Sequence, residues 1–383
     1  MEQLKVLVFS ASFGNGHLRA AEAVIEGILI KDPSAKIIHL DFGDFLNKPI
    51  NTIIKSVYSE IIKYVPKLWG KLYYKTAQVQ PKSMSQRLLS RLGRSNFLEY
   101  IDQFKPDFIV CTYPTVSSIL AQLRIENLLQ IPIVTIITDY TVHSHWVHPG
   151  VDCYIVSCEE VKESLLSWGI KAHSIRVTGI PVSLSFETDL DRGHILAKLG
   201  LKHDLPTFLV MGGSYGVLKS AKRICKKLAD SLVPVQVIVV CGKNEKLFRS
   251  LETVIAQARN PIVRLEYVHN VEELMSVSHL IITKAGGLTV SEALRKHLPL
   301  LIYKPIPGQE EENAHFVQSI GAGLVAENEF ELGQYLSHFL RNPKELEIMR
   351  QKASVALIGH STERAVEDIL QIVLDNKKEA KNW

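Results

Sequence analysis

Lys284, Gly286, Gly287, Thr289 and Glu292 fall close together in T-K-A-G-G-L-T-V-S-E-A, which follows a short apolar run from His279 to Thr283. The run is rich in branched residues and reads as a buried strand. Two glycines then let the backbone turn sharply into a helix over Leu288 to His297. Thr289 with Glu292 three residues on has capping-box spacing, and the free N–H groups of the first turn point at the double glycine. That is a seat for an anion, with Lys284 adding a cation at its entrance. Glu292 has two readings: an ordinary capping glutamate, or a carboxylate one turn into the helix that accepts from two vicinal hydroxyls, as a ribose offers. A second strand, Leu298 to Tyr303, runs into the stiff turn Pro305-Ile306-Pro307-Gly308 and then into Gln309, Glu310 and Asn313. Polar groups after two consecutive strands mark the carboxyl edge of an open α/β sheet, where such folds bind ligands.

Other strand ends carry chemistry of the same kind. F-G-N-G-H at Phe13 to His17 and M-G-G-S-Y-G at Met211 to Gly216 each follow an apolar strand. In the first, Gly14 and Gly16 with Asp41 resemble part of a dinucleotide fingerprint, but Arg19 stands where the third small residue is needed, which argues against an NAD-type oxidoreductase. His17 lies at a helix start, where packing gives no reason for an imidazole, and its near-neutral intrinsic pKa suits a general base. Asp139 ends another strand of the same half and either orients His17 or is the base itself. His143, His145 and His148 invite a zinc reading. Structural zinc usually adds cysteine and catalytic zinc a carboxylate at defined spacing, so a polar loop with Trp146 as an amphipathic contact for lipid or sugar fits better.

Positioning these groups takes two cores. At 383 residues, 46% hydrophobic and 22% charged, the chain has the composition of a globular enzyme with two domains. It has no evident signal peptide and no run of eighteen apolar residues, so a cytoplasmic protein is expected. The five cysteines are scattered inside apolar runs and read as reduced core residues. Strands over Leu4–Ser10, Lys36–Leu40, Asp107–Thr112, Pro132–Thr138, Cys153–Ser157 and Ser174–Thr178 alternate with helices, the rhythm of a parallel sheet. A second series follows over Thr207–Met211, Val235–Cys241, Ile262–Leu265, His279–Thr283 and Leu298–Tyr303. Residues 181 to 206 hold Gly, Pro and charge without a strand. The expected layout is therefore an α/β protein of two Rossmann-like domains, 1–182 and 183–360, with a last helix at about 361–383 that returns to the first domain.

Charge is uneven. Between Lys48 and Arg94 there are seven Lys and three Arg against Glu60, a local +9 in a chain totalling +4. Aromatic and apolar residues, Trp69 and Tyr73 among them, are interleaved with Lys63, Lys67 and Lys71. The pattern suits an interfacial helix on anionic lipid; a solvated helix face is the plainer alternative, and no nucleic-acid module accompanies the charge.

K-A-G-G-L-T-V-S-E-A followed by K-P-I-P-G-Q-E-E-E-N-A, together with F-G-N-G-H, T-D-Y at Thr138, H-x-x-W-V-H ending at His148, T-G-I-P at Thr178 and M-G-G-S-Y-G, resembles the family of processive diacylglycerol glucosyltransferases and monogalactosyldiacylglycerol synthases. The order of the motifs also matches, over nearly the whole chain. The resemblance implies the GT-B fold, two facing Rossmann-like domains with the active site in the cleft between them. It implies an inverting, metal-independent transfer of glucose or galactose from a UDP-sugar to a membrane lipid, diacylglycerol above all, without a cofactor. On the donor side it implies Gly213, Ser214, Lys284, Gly286 and Gly287 at the diphosphate, Val268 at the uracil, Glu292 at the ribose, and Gln309 and Glu310 at the hexose hydroxyls, with Gly16, Thr289 and Asn313 also among the donor-binding residues. His17 and Asp139 would serve catalysis. Lys63, Lys67, Trp69, Lys71, Tyr73, His145 and Trp146 would serve the acceptor and an anionic membrane surface reached through residues 48–94, with the enzyme peripherally attached to the cytoplasmic face. A different acceptor, nucleotide-sugar epimerisation on the same fold, and a non-catalytic UDP-sugar-binding regulator are the other readings.

Overall fold

The computed structural model describes residues 3–12, 15–45, 65–77, 79, 94–212, 220–357 and 359–381, with side chains to 375. Two six-stranded sheets carry the chain, and every pairing in both is parallel. The first has the order β2-β1-β3-β4-β5-β6, with β1 Lys5–Ser10, β2 Lys36–Asp41, β3 Phe108–Cys111, β4 Ile133–Ile136, β5 Cys153–Val156 and β6 Ile175–Val177. The second has the order β12-β11-β10-β7-β8-β9, with β7 Thr207–Met211, β8 Gln236–Val240, β9 Ile262–Leu265, β10 Leu280–Thr283, β11 Leu300–Tyr303 and β12 Gly323–Ala326. Most of these strands are apolar along their length because helices cover both faces of a parallel sheet. β3, β4, β5, β7, β8, β10 and β11 are buried at every residue.

β12 was not expected. Its sequence, Gly323-Leu324-Val325-Ala326, has little branched or aromatic content, and tertiary pairing with β11 makes the strand. Gly323 is required there, since a Cβ would stand 2.6 Å from the Leu300 carbonyl oxygen and 2.4 Å from Val317. The stretch 181–206 has no strand, as expected, and carries the helix Arg192–Lys198, N-capped by Asp191, whose carboxylate accepts the His194 N–H at 3.0 Å.

The chain divides into two compact units, Met1–Leu184 with Pro307–Gln309 and Ile358–Trp383, and Ser185–Ile306 with Glu310–Leu357. In the first, the helix Asn15–Lys31 and the last helix, Ser361–Lys381, pack side by side. Ala365, Val366, Ile369 and Val373 join Val6, Val8, Ala21, Val24, Ile28 and strand residues of β3 to β5 in one core. The approach is close at Gly27, where a Cβ would stand 2.9 Å from Val366 and 3.0 Å from Thr362. In the second, β7, β8, β10 and β11 share a core with the helices Ala221–Ala229, Glu329–Arg341 and Pro343–Ala356. All five cysteines are buried and unbridged.

The last helix completes the core of the first unit, so a cavity in it should weaken that unit although the helix is separated in sequence from the rest of it by the whole second sheet. Ile369→Ala should cost about 2 to 5 kcal/mol of unfolding free energy in urea. A loss below about 0.5 kcal/mol would show that the last helix is not part of the core.

Candidate active site

In the first sheet the chain moves from β1 to β2 on one side and then to β3 on the other, so the crevice opens at the carboxyl ends of β1 and β3. His17 stands there, in the first turn of Asn15–Lys31. Its backbone carbonyl accepts from Thr112 Oγ1 at 2.8 Å, just beyond β3, and its Nδ1 meets Thr138 Oγ1 at 3.0 Å, just beyond β4. Tyr113 meets its ring edge-on at 5.3 Å between centroids, and Trp146 lies at 6.1 Å. Burial lowers the His17 pKa to about 4 despite a hydrogen bond with the Thr112 backbone. The near-neutral value expected from the residue type is thus replaced by one that keeps the ring uncharged throughout the physiological range, because packing against Tyr113 and Trp146 disfavours the cation.

The group that orients His17 through Nδ1 is Thr138, which residue type alone did not single out; neither did it single out Thr112. Asp139 is buried. Its carboxylate accepts from Gln309 Nε2, and Ser157 Oγ donates to its backbone carbonyl at 2.8 Å. Gln309, expected beside the donor sugar, falls with the first unit in the three-residue segment Pro307–Gln309. Gly308 has φ 98°, and the Tyr73 ring packs so closely that a Cβ on Gly308 would stand 2.8 Å from it; Gly70 meets Pro307 in the same way.

The histidine-rich loop is held by its own side chains. His143 Nδ1 accepts the His145 N–H at 3.2 Å and caps the short turn Ser144–Trp146, while its other nitrogen meets Thr76 Oγ1 at 3.1 Å. His148 Nε2 bonds the His145 carbonyl at 2.7 Å, and the Tyr154 hydroxyl accepts the His148 N–H at 2.8 Å. Trp146, expected as an amphipathic contact for lipid or sugar, is buried and forms a wall behind His17. His145 stacks edge-on to His143, which in turn lies 4.8 Å from Tyr73. Lys67, Trp69, Lys71 and Tyr73 share the helix Pro66–Ala77; Lys67 and Lys71 are exposed and Gly70 is buried. Lys63 lies outside the described residues, and so do Gly213 and Ser214. Gly16 is the second residue of Asn15–Lys31, and Val268 follows β9.

In the second sheet the order reverses between β7 and β10, and the residues after β10 are Lys284, Ala285 and Gly286. The helix Gly287–Arg295 begins at once, with Gly286 as its N-cap at φ −66° and ψ 132° and no side-chain cap. Two expectations are corrected here. Thr289 is the third helical residue and not the cap, and Gly286 does not need glycine for the turn, because its φ is one that any residue adopts. Nor does packing demand it: the nearest heavy atom to a Cβ built there, chain neighbours apart, is Thr289 Oγ1 at 4.0 Å. Glycine at this position leaves the uncapped N–H groups approachable.

Asn313 is fully buried and donates from Nδ2 to the Ala285 carbonyl at 3.0 Å, so it holds the loop from behind rather than reaching a ligand as expected. Glu310 is also turned inward. Its carboxylate accepts the Ile306 N–H at 2.8 Å, and burial raises its pKa against the opposing influence of Lys284 and that bond. Glu292 is half-buried one turn further along Gly287–Arg295.

Residues 17–182 match the model of the monogalactosyldiacylglycerol (MGDG) synthase family, and residues 207–369 match that of the glycosyltransferase family 28 C-terminal domain. The chain is 31% identical over 374 residues to the processive diacylglycerol beta-glucosyltransferase of Bacillus subtilis (strain 168), covering 96% of this chain and 95% of that one. With the protein of the same name from Bacillus pumilus it shares 30% over 381 residues, 98% of each. The chain belongs to this family of diacylglycerol glycosyltransferases. It is a UDP-sugar glycosyltransferase, and its fold is the GT-B fold. Acinetobacter baumannii MurG superposes with a TM-score of 0.63 at 17% identity over 96% of this chain and 99% of that one, and S. aureus MnaA, solved with UDP, with 0.64 at 17% over 96% of each.

The transferase carries several imidazoles that folding keeps neutral. Burial holds His17, His143 and His148, and in the second unit His279, down to about 4. Unfolding releases them to the ordinary value near 6.5, so the unfolded state binds more protons between these limits. Their contribution to stability is fully present above about pH 6.5 and is lost as pH falls towards 4, at up to about 1.4 kcal/mol per pH unit for each proton taken up. Urea unfolding at pH 7.5, 6 and 5 should show a steady fall that is shallower in His148→Asn. Equal slopes in the two proteins would show that His148 is not neutral in the fold.

Proposed function

We propose that the enzyme transfers a hexose, glucose or galactose, from a UDP-sugar to the hydroxyl of diacylglycerol, with inversion at the anomeric carbon and without a metal, while attached peripherally to the cytoplasmic face of a membrane. The observation that carries the donor half is Gly286: neither its φ nor its packing requires glycine, and it stands at an uncapped helix N-terminus beside Lys284. A diphosphate needs close backbone approach and positive potential, and both are supplied there. Glu292 takes the ribose hydroxyls, Val268 the uracil and Gln309 the hexose, with Gly16, Gly213, Ser214 and Thr289 completing the donor side. Asn313 and Glu310 hold the two loops in shape.

His17 is the base. Thr138 fixes Nδ1, which leaves Nε2 for the acceptor hydroxyl once the ring's proton sits on Nδ1. Asp139 accepts a hydrogen bond from Gln309, and a carboxylate already engaged in this way suits a positioning role. As the acceptor oxygen attacks the anomeric carbon, its proton passes to His17, the bond from that carbon to the diphosphate breaks, and UDP leaves with the electron pair. The attack comes from the face opposite the leaving group. Lys284 and the helix N-terminus stabilise the charge that develops on the diphosphate.

The membrane reading rests on the helix Pro66–Ala77. Val65, Leu68 and Leu72 are exposed at helical spacing, 48%, 55% and 48% open, and Lys67, Lys71 and Lys75 form an exposed stripe beside them. An apolar stripe flanked by lysines suits the interface of an anionic bilayer. Among the described residues no helix is long and apolar enough to cross a membrane. Diacylglycerol, for which the relatives are named, is itself a membrane lipid.

Two variants separate the halves in one set of assays with UDP-glucose, UDP-galactose and diacylglycerol vesicles. Gly286→Ala should keep its melting temperature yet bind UDP at least roughly tenfold more weakly, because a methyl group obstructs the phosphate. His17→Ala should bind UDP normally and turn over about two to four orders of magnitude more slowly. Normal UDP affinity in Gly286→Ala would remove the phosphate from this seat.

For the membrane, replacing Lys67, Lys71 and Lys75 by Gln removes about 3 kcal/mol of attraction to anionic lipid. Co-sedimentation with anionic vesicles at low salt should weaken roughly a hundredfold while UDP binding is unchanged. Undiminished sedimentation of the triple variant would assign this helix to ordinary solvent exposure.

A further inference from the structure

The amino-terminal edge of the second sheet gathers cations that the transfer reaction does not use. The helix Val271–Val277 ends there, and the next residues lead into β10. Arg192 donates through Nη1 to the Ser276 carbonyl and through Nη2 to the Val277 carbonyl at 3.4 Å. Arg350, from Pro343–Ala356, donates through Nη2 to the Ser278 carbonyl at 3.1 Å. Two guanidinium groups from distant parts of the chain are thus pinned to successive carbonyls of one short segment. His279 follows directly. Its Nδ1 accepts the Thr207 N–H at 3.0 Å, which places the ring's proton on Nε2 and makes that nitrogen a donor.

Capping explains part of this arrangement, since the last carbonyls of a helix attract cations. It does not explain all of it. One arginine already serves Ser276 and Val277, and the second is brought beside it at a cost in like-charge repulsion. Arg350 Nε lies 3.9 Å from Glu347, whose side chain is 62% open to solvent, while Glu187 pairs with Arg295 further along the edge. His279 is held to about 4 by burial and then by Arg192 and Arg350, so both guanidinium groups act on this ring. Each guanidinium has five N–H donors and needs only some of them for the carbonyls.

We propose that Arg192, Arg350 and the Nε2–H of His279 form a binding site for a phosphate-type oxyanion at the amino-terminal edge of the second sheet. A tetrahedral oxyanion accepts from two guanidinium forks and an imidazole at once and relieves the repulsion between the arginines. The site is distinct from the donor seat. β10, Leu280–Thr283, lies between His279 and Lys284, which are therefore about 16 Å apart at the usual rise, with the donor loop at the opposite edge of the sheet. Its occupant is therefore an effector-type ligand, a free phosphate or a phosphate carried on a larger molecule.

The test is calorimetric titration of inorganic phosphate into the full chain at constant ionic strength, with chloride as control, in the presence and absence of saturating UDP. Phosphate should bind with UDP present, and Arg192→Gln and Arg350→Gln should each weaken that binding about tenfold or more while leaving UDP affinity unchanged. Glutamine keeps an amide donor for the carbonyl, so the loop retains its cap. Absence of phosphate binding by the UDP-saturated wild type overturns the proposal. Equal phosphate affinity in the arginine variants overturns it too, as does a loss of melting temperature in them that is the same in phosphate and in chloride. Failure of UDP itself to bind would fall on the donor-seat reading, and the arm without UDP still tests the arginines. Vesicles containing phosphatidic acid identify the carrier: weaker binding by the arginine variants assigns the site to a lipid headgroup, and unchanged binding assigns it to soluble phosphate.

Discussion

Parallel pairing is the constraint on which the rest depends. When all strands of a sheet run the same way, every strand-to-helix turn leaves at one edge and every helix N-terminus begins there. The first sheet thereby brings His17, Thr112 and Thr138 to a single edge from positions up to 121 residues apart in sequence. The second does the same for Lys284, Gly286 and the turn that precedes Gln309–Ser319. The opposite edge collects helix C-termini and the cations that meet them, so each sheet is polarised along its strands before any side chain is considered.

On that frame, backbone chemistry and side-chain chemistry divide the work. The turn after β10 offers backbone N–H groups, and the side chains near it are turned to shaping it. Asn313 ties the Ala285 carbonyl, Glu310 takes the Ile306 N–H, and Ser291 Oγ donates to the Gly287 carbonyl at 2.9 Å. Holding the loop from behind spares the binding reaction the entropy of ordering it. Burying Glu310 is tolerable because Lys284 opposes the cost of its charge.

The histidines show how packing assigns a residue its role. His143 and His148 have donors and acceptors fitted to their own loop and serve as neutral struts. His17 is as neutral as they are, but it sits at the crevice edge with one nitrogen committed to Thr138. Burial raises the cost of charging all three, and position alone distinguishes the struts from the imidazole at the crevice.

By itself the sequence determined the alternation of strands and helices, the two series of them, the buried free cysteines and the polar stretches after β1, β4, β10 and β11. These are local signals: branched apolar runs of strand length, glycine-rich turns and helical periodicity. It did not disclose β12, whose four residues become a strand only through pairing with β11, nor the helix at Arg192–Lys198 inside a stretch of Gly, Pro and charge. It named Trp146 and Asn313 as ligand contacts because their types suit that task. Tertiary structure buried the first beside His17 and turned the second onto the Ala285 carbonyl. The convergence of Arg192, Arg350 and His279 was likewise beyond the sequence. A side chain's type fixes what it can bind, but which groups surround it depends on contacts between residues far apart in the chain, and only the folded sheet brings those together.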